Sequence, residues 1–85
     1  MARNLSEIAK DIRSNWKNVY YWAEPYLQAM EQIHSPEPDA PYRLGPYVLE
    51  DAKTQVMYFL ANAQYWRGET ARKIKKELKN QYNLK

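Results

Sequence analysis

An all-α fold, a small bundle of about four helices arranged as two helical pairs, is predicted by three features of the chain. Apolar residues recur at helical spacing in two long blocks, residues 5–34 and 47–82. Four of the five prolines fall between those blocks, within residues 35–46. No stretch alternates polar and apolar residues at period two over the length of a strand. At 85 residues the chain makes a single domain, 1–85, and a domain of this size buries only about 60–65% of its unfolded surface.

The first helix is expected from Leu5 to Ala23. Leu5, Ile8, Ala9, Ile12, Trp16, Val19, Tyr20 and Ala23 follow one face, and Asn4 or Ser6 supplies a cap. Lys10, Arg13 and Lys17 lie on one flank, Glu7 and Asp11 on the other. Pro25 disfavours helical geometry at Glu24, so a break is expected there. A second, shorter helix then runs from Pro25 to His34, with proline in the first turn where its missing N–H costs nothing. Tyr26, Met30 and Ile33 form its inner face.

The segment SPEPDAPYRLGP, residues 35–46, is neither regular helix nor central strand. It reads as a stiff link, with Tyr42 and Leu44 available to tack it to the core. The longest helix is expected from Tyr47 to Arg67, on a stripe of Leu49, Ala52, Val56, Phe59, Leu60, Ala63 and Trp66. Gly68 is placed as its left-handed C-terminal cap. A last helix starts at Glu69 or Thr70, with Ala71, Ile74, Leu78 and Tyr82 turned inward.

Charge is uneven along the chain. Residues 1–42 hold four Lys/Arg against six Asp/Glu; residues 43–85 hold nine against four. From Arg67 onward there are seven cations and two carboxylates. On a helix, Arg72, Lys75, Lys76 and Lys79 share a flank beside the apolar stripe. Such a row suits a polyanion or an acidic protein surface. Eight Tyr and three Trp against one Phe add side chains suited to half-buried or docking positions. Tyr58 and Tyr65 point away from the inner stripe; either the helix packs on both sides or these rings dock a partner or a second copy. Tyr21 and Trp22, beside Pro25, pose the same choice.

Catalytic machinery is not legible. His34 is the single histidine and stands beside the link, where a surface or capping role is expected. Glu7 and Asp11 read as a solvated face, and Gly45 and Gly68 do not make a phosphate loop. There is no cysteine, so disulfides and thiolate metal sites are excluded. No metal or other cofactor is expected. No apolar run reaches the ~20 residues of a membrane span. The N-terminal residues lack the apolar core of a signal peptide. A cytoplasmic protein without membrane contact is therefore expected.

Two stretches, LSEIAKDIRSNWKNVYYWAEPYLQAM and VMYFLANAQYWRGETARKIKKELK, resemble a group of small proteins encoded by phages, plasmids and integrative elements of Gram-positive bacteria. The WRGETARKIKKEL string is the more specific part, and the proline-rich link departs from the group. The resemblance implies an accessory protein of a mobile element acting in the bacterial host cytoplasm. Such elements carry inhibitors of host defence, anti-CRISPR proteins among them, and small regulators of their own promoters.

The expectation is a non-enzymatic binding protein that obstructs a host nucleic-acid-handling defence complex. Arg67, Arg72, Lys73, Lys75, Lys76 and Lys79 would supply the basic surface, and Tyr58, Tyr65 and Trp66 the apolar anchors. The partner would be a host protein or protein–nucleic acid complex, with direct nucleic acid contact and homodimer formation both open. The alternative is a small dimeric regulator that uses Trp66–Thr70 as a helix-turn-helix corner and Thr70–Tyr82 as its recognition helix. Against that, the preceding helix is long and base-reading Asn, Gln and Ser are scarce before Asn80. A structural module of a virion or transfer apparatus is a third reading.

Overall fold

The computed structural model describes residues 3–43 and 49–84. In chain order these form α1 (Leu5–Asn15), α2 (Glu24–Glu31), β1 (Pro41–Arg43), β2 (Leu49–Asp51), α3 (Ala52–Ala61) and α4 (Glu69–Gln81). The small helical bundle read from the sequence is present, with one addition. β1 and β2 form an antiparallel pair in the register Pro41↔Asp51, Tyr42↔Glu50, Arg43↔Leu49. The expectations placed on Leu44, Gly45, Pro46, Tyr47 and Val48 lie outside the described residues.

α1 buries Leu5, Ile8, Ala9 and Ile12. Its start is fixed twice over. The Asn4 N–H donates to Glu7 Oε1 at 3.2 Å. The N–H groups of Leu5 and Ser6 donate to the carbonyls of Ser35 and Ile33, so the chain leaving α2 satisfies donors that α1 cannot. The helix ends at Asn15, eight residues before the expected Ala23. Ser14 Oγ donates to the Lys10 carbonyl and Asn15 Nδ2 to that of Asp11. Both side chains compete locally for carbonyls of the last turn. Trp16 then turns extended, at φ −117° and ψ 91°, and its indole enters the core.

α2 begins one residue earlier than expected and ends at Glu31, short of His34. Leu27, Ala29 and Met30 face the core. Arg13 of α1 binds Glu24 and Glu31 at the two ends of α2, which locks the pair side by side.

The described part of the proline-rich link is tied to α3. Lys53 N–H donates to Pro38 O at 2.9 Å and Ala52 N–H to Ala40 O at 2.8 Å. Pro41 opens a strand at the edge of the pair, a position where its missing N–H is tolerated. The helix expected from Tyr47 starts at Ala52 instead, because Asp51 caps it: Asp51 Oδ1 accepts from Thr54 N at 2.8 Å and from Thr54 Oγ1 at 2.6 Å. The same helix stops at Ala61, where Asn62 Nδ2 takes the Tyr58 carbonyl at 2.8 Å. Ala63 and Trp66 are buried but lie beyond it.

Gly68 is not the left-handed C-cap expected for α3: at φ +119° and ψ 176° it is the N-cap of α4. α4 starts at Glu69 and buries Ala71, Ile74 and Leu78, followed by a fully buried Tyr82. All four helices thus deliver side chains to one core, which Trp16 and Trp66 join from outside the helices. Gln55 is buried too, and its Nε2 finds no partner among the described residues.

Candidate functional site

α4 buries a narrow stripe and exposes the rest. Arg72, Lys73, Lys76 and Lys79 are exposed, and Lys75 is half-buried. The spacing 72, 75, 76, 79 keeps four of these on one flank. Lys73 lies apart and faces Glu69 across one turn at 3.7 Å, a fully solvated pair. Among the described residues no carboxylate lies within ion-pair distance of Arg67, Arg72, Lys75, Lys76 or Lys79.

Two arginines elsewhere are paired, whereas Lys10, Lys17 and Lys53 meet no carboxylate within ion-pair distance among the described residues. Arg13 is held by two carboxylates of α2. Arg3 grips Glu77 with two nitrogens, at 2.9 and 2.7 Å, and reaches Asp11 at 3.2 Å. These pairs hold both guanidinium groups above their already high ordinary pKa. Glu77 is the second carboxylate of α4, and Arg3 draws it toward α1 and away from the basic flank. Arg13 itself therefore adds nothing to the C-terminal cations.

At its N-terminal end the flank opens into a cavity of about 240 Å³ lined by Trp66, Arg67, Gly68, Arg72 and Lys75. The Lys75 Nζ donates to the Trp66 carbonyl at 2.6 Å and lies 6.0 Å from the indole centroid. Burial, with Lys79 and Arg67 nearby, lowers the Lys75 pKa from its ordinary value. At the other end, Lys79 borders a shallow groove of about 310 Å³ with Met57, Leu60 and Leu84. The flank thus joins a cationic hollow to an apolar one.

Trp66 requires a correction. It was expected as a surface anchor, and it is 5% exposed. Its ring stacks on Trp16, at 5.5 Å between centroids and 9° between planes, so its surface is consumed by the core. The Tyr58 and Tyr65 rings are exposed, at 46% and 75%, but they do not share one helix face. Tyr58 belongs to α3 and leans on Tyr26 of α2, with centroids 5.3 Å apart. Tyr65 lies past the end of α3 and meets Tyr20 edge-on at 5.6 Å. Tyr21 and Trp22, 75% and 60% exposed, form a further pair before α2. Sequence reasoning missed Tyr20, which it had placed on the inner stripe of an over-long first helix.

His34 is exposed and its Nδ1 meets Ser6 Oγ at 3.1 Å, a contact that joins α1 to the chain after α2. Among the described residues no three His, Asp or Glu gather to hold a metal ion. No described helix is long and apolar enough to cross a membrane.

The corner between α3 and α4 spans residues 62–68. A helix-turn-helix joins its helices through three or four residues, so this corner is longer than that motif uses. Comparison with protein families, characterised proteins and solved structures finds no match to this chain.

Proposed function

We propose that this chain is a small non-enzymatic binding protein whose basic flank, Arg67, Arg72, Lys75, Lys76 and Lys79, engages the phosphate backbone of nucleic acid within a host nucleoprotein complex. The observation that carries the reading is the clustering, between Arg67 and Lys79, of five cations that meet no carboxylate within ion-pair reach among the described residues. Arg3 and Arg13, by contrast, are consumed by carboxylates. Unpaired cations on one flank of α4, with Arg67 from the connection before it, supply counterion-release binding without sequence reading.

Tyr65 and Tyr58, with Tyr20 beside Tyr65, provide exposed aromatic area for the protein part of such a complex. The resemblance to small mobile-element proteins sets the action in a bacterial host, where obstruction of a defence complex of the anti-CRISPR kind is the role proposed. A dimeric promoter regulator is less favoured, since the 62–68 connection is long for a helix-turn-helix and α4 presents lysines where base-reading side chains would stand.

The test is capture from host lysate on the immobilised chain, with and without nuclease. Recovery of a partner that is lost on nuclease treatment is the expected result. A partner retained after nuclease, and retained by a Lys76→Glu/Lys79→Glu variant, would remove the phosphate-backbone reading.

A further inference from the structure

The hollow at the start of α4 has more structure than a charged helix face needs. Its volume, about 240 Å³, is below the ~300–1,000 Å³ that encloses a whole small molecule, so it suits a single group. Three cations converge on it from two elements: Arg67 from the connection, Arg72 and Lys75 from the helix. Lys75 uses one of its three N–H donors on the Trp66 carbonyl and keeps two. Each arginine offers a planar fork that matches phosphate oxygens.

The hollow borders the start of α4, since Gly68 lines it. Gly68 caps α4 with no side-chain oxygen, and nothing lies within 4 Å of where its Cβ would stand. Among the described residues the N–H groups of Glu69, Thr70 and Ala71 meet no protein acceptor. The one carboxylate near them, Glu69, is exposed and pairs with Lys73. A carboxylate ligand has two coplanar oxygens and would engage one fork. A phosphate presents oxygens in several directions and can meet both arginines and the lysine together.

We propose that this hollow seats one phosphate group, borne by a nucleic acid strand or free in solution. The proposal deepens the function given above and rests on it for the identity of the larger ligand. Arg67 and Arg72 clamp the group from two elements and Lys75 closes the inner wall, beside the positive end of the α4 dipole.

The experiment is an amide-resolved NMR titration of the full chain with inorganic phosphate, against sodium chloride at equal ionic strength. Saturable shifts at Gly68, Glu69 and Thr70 beyond those from chloride are expected. An Arg67→Gln/Arg72→Gln variant, altered only at exposed side chains, should keep its circular dichroism and bind phosphate roughly tenfold or more weakly. Absence of the shifts, or their persistence in that variant, would overturn the site. A thymidine oligonucleotide then distinguishes the sources. Competition with phosphate for the same amides assigns the strand; no effect on them while phosphate still binds assigns the free anion. An oligonucleotide that shifts only the Lys76 and Lys79 amides, with phosphate inert, would overturn the hollow and leave the basic-face function standing. Phosphate binding with neither oligonucleotide binding nor a nuclease-sensitive partner would uphold the hollow and remove the function.

Discussion

The indoles of Trp16 and Trp66 lie stacked, 5.5 Å between centroids and 9° from parallel, with Phe59 set edge-on against Trp16 at 6.2 Å. Trp16 follows α1 and Trp66 precedes α4, so the stack fastens together the two non-helical stretches that flank the bundle. Removing a buried tryptophan costs about 3–5 kcal/mol, most of what a domain this size has. Trp66→Ala should therefore abolish cooperative thermal unfolding by circular dichroism. Trp66→Phe, which keeps an aromatic face against Trp16, should retain a transition at lower temperature.

Charge at α4 should be separable from stability. Lys76 and Lys79 are exposed and unpaired among the described residues, so Lys76→Glu/Lys79→Glu should move the melting temperature little, within about 0.5 kcal/mol per site. If both lysines contact duplex phosphates, the slope of log affinity against log salt should fall by roughly two. An unchanged slope would show that neither lysine meets a phosphate.

Tyr65 offers the converse test for the aromatic area. At 75% exposed it contributes little to the core, so Tyr65→Ala should leave the melting temperature near that of the parent. Capture of the protein partner should weaken. A large drop in melting temperature instead would assign Tyr65 to structure, through its edge contact with Tyr20.

Acid should loosen the α1–α2 pair and the cap of α3. Arg13 holds the Glu24 carboxyl below its ordinary value, and the hydroxyl and N–H of Thr54 do the same for Asp51. A lowered native pKa means that the unfolded chain takes up protons first as pH falls. The stabilisation is then fully present above about pH 4.5 and fades as pH drops through the native values. Urea unfolding between pH 3 and 7 should show that decline. Arg13→Gln should shrink it, and Asp51→Ala should in addition cost about 0.5–2 kcal/mol at neutral pH through the lost cap.

The elements legible in the sequence are those whose signals are local and repeated. α4 shows this best: Ala71, Ile74, Leu78 and Tyr82 set its inward face, Glu69 its start, and its cations the exposed flank. The errors arose where a short polar side chain outweighed apolar spacing. Asn15 ended α1 although Trp16, Val19 and Tyr20 continued the helical pattern, and Asn62 ended α3 ahead of the in-register Ala63 and Trp66. The Asp51–Thr54 cap was readable as a helix start, but the apolar Leu49 drew the boundary upstream. The Trp16–Trp66 stack joins residues fifty positions apart, and the Arg3–Glu77 pair residues seventy-four apart. No local pattern predicts either, and the stack is what removes Trp66 from the surface.

The pairing of Arg3 and Arg13 with carboxylates also shapes how the molecule travels. With those two guanidinium groups screened and seven of the thirteen Lys and Arg lying from Arg67 onward, positive charge is concentrated toward α4. A polyanion nearby would turn the protein α4-first before any contact forms, which raises the rate of productive collision. Rising ionic strength would then slow arrival more than it hastens departure, so the speed of association, and not only its final extent, carries the imprint of where two arginines were placed.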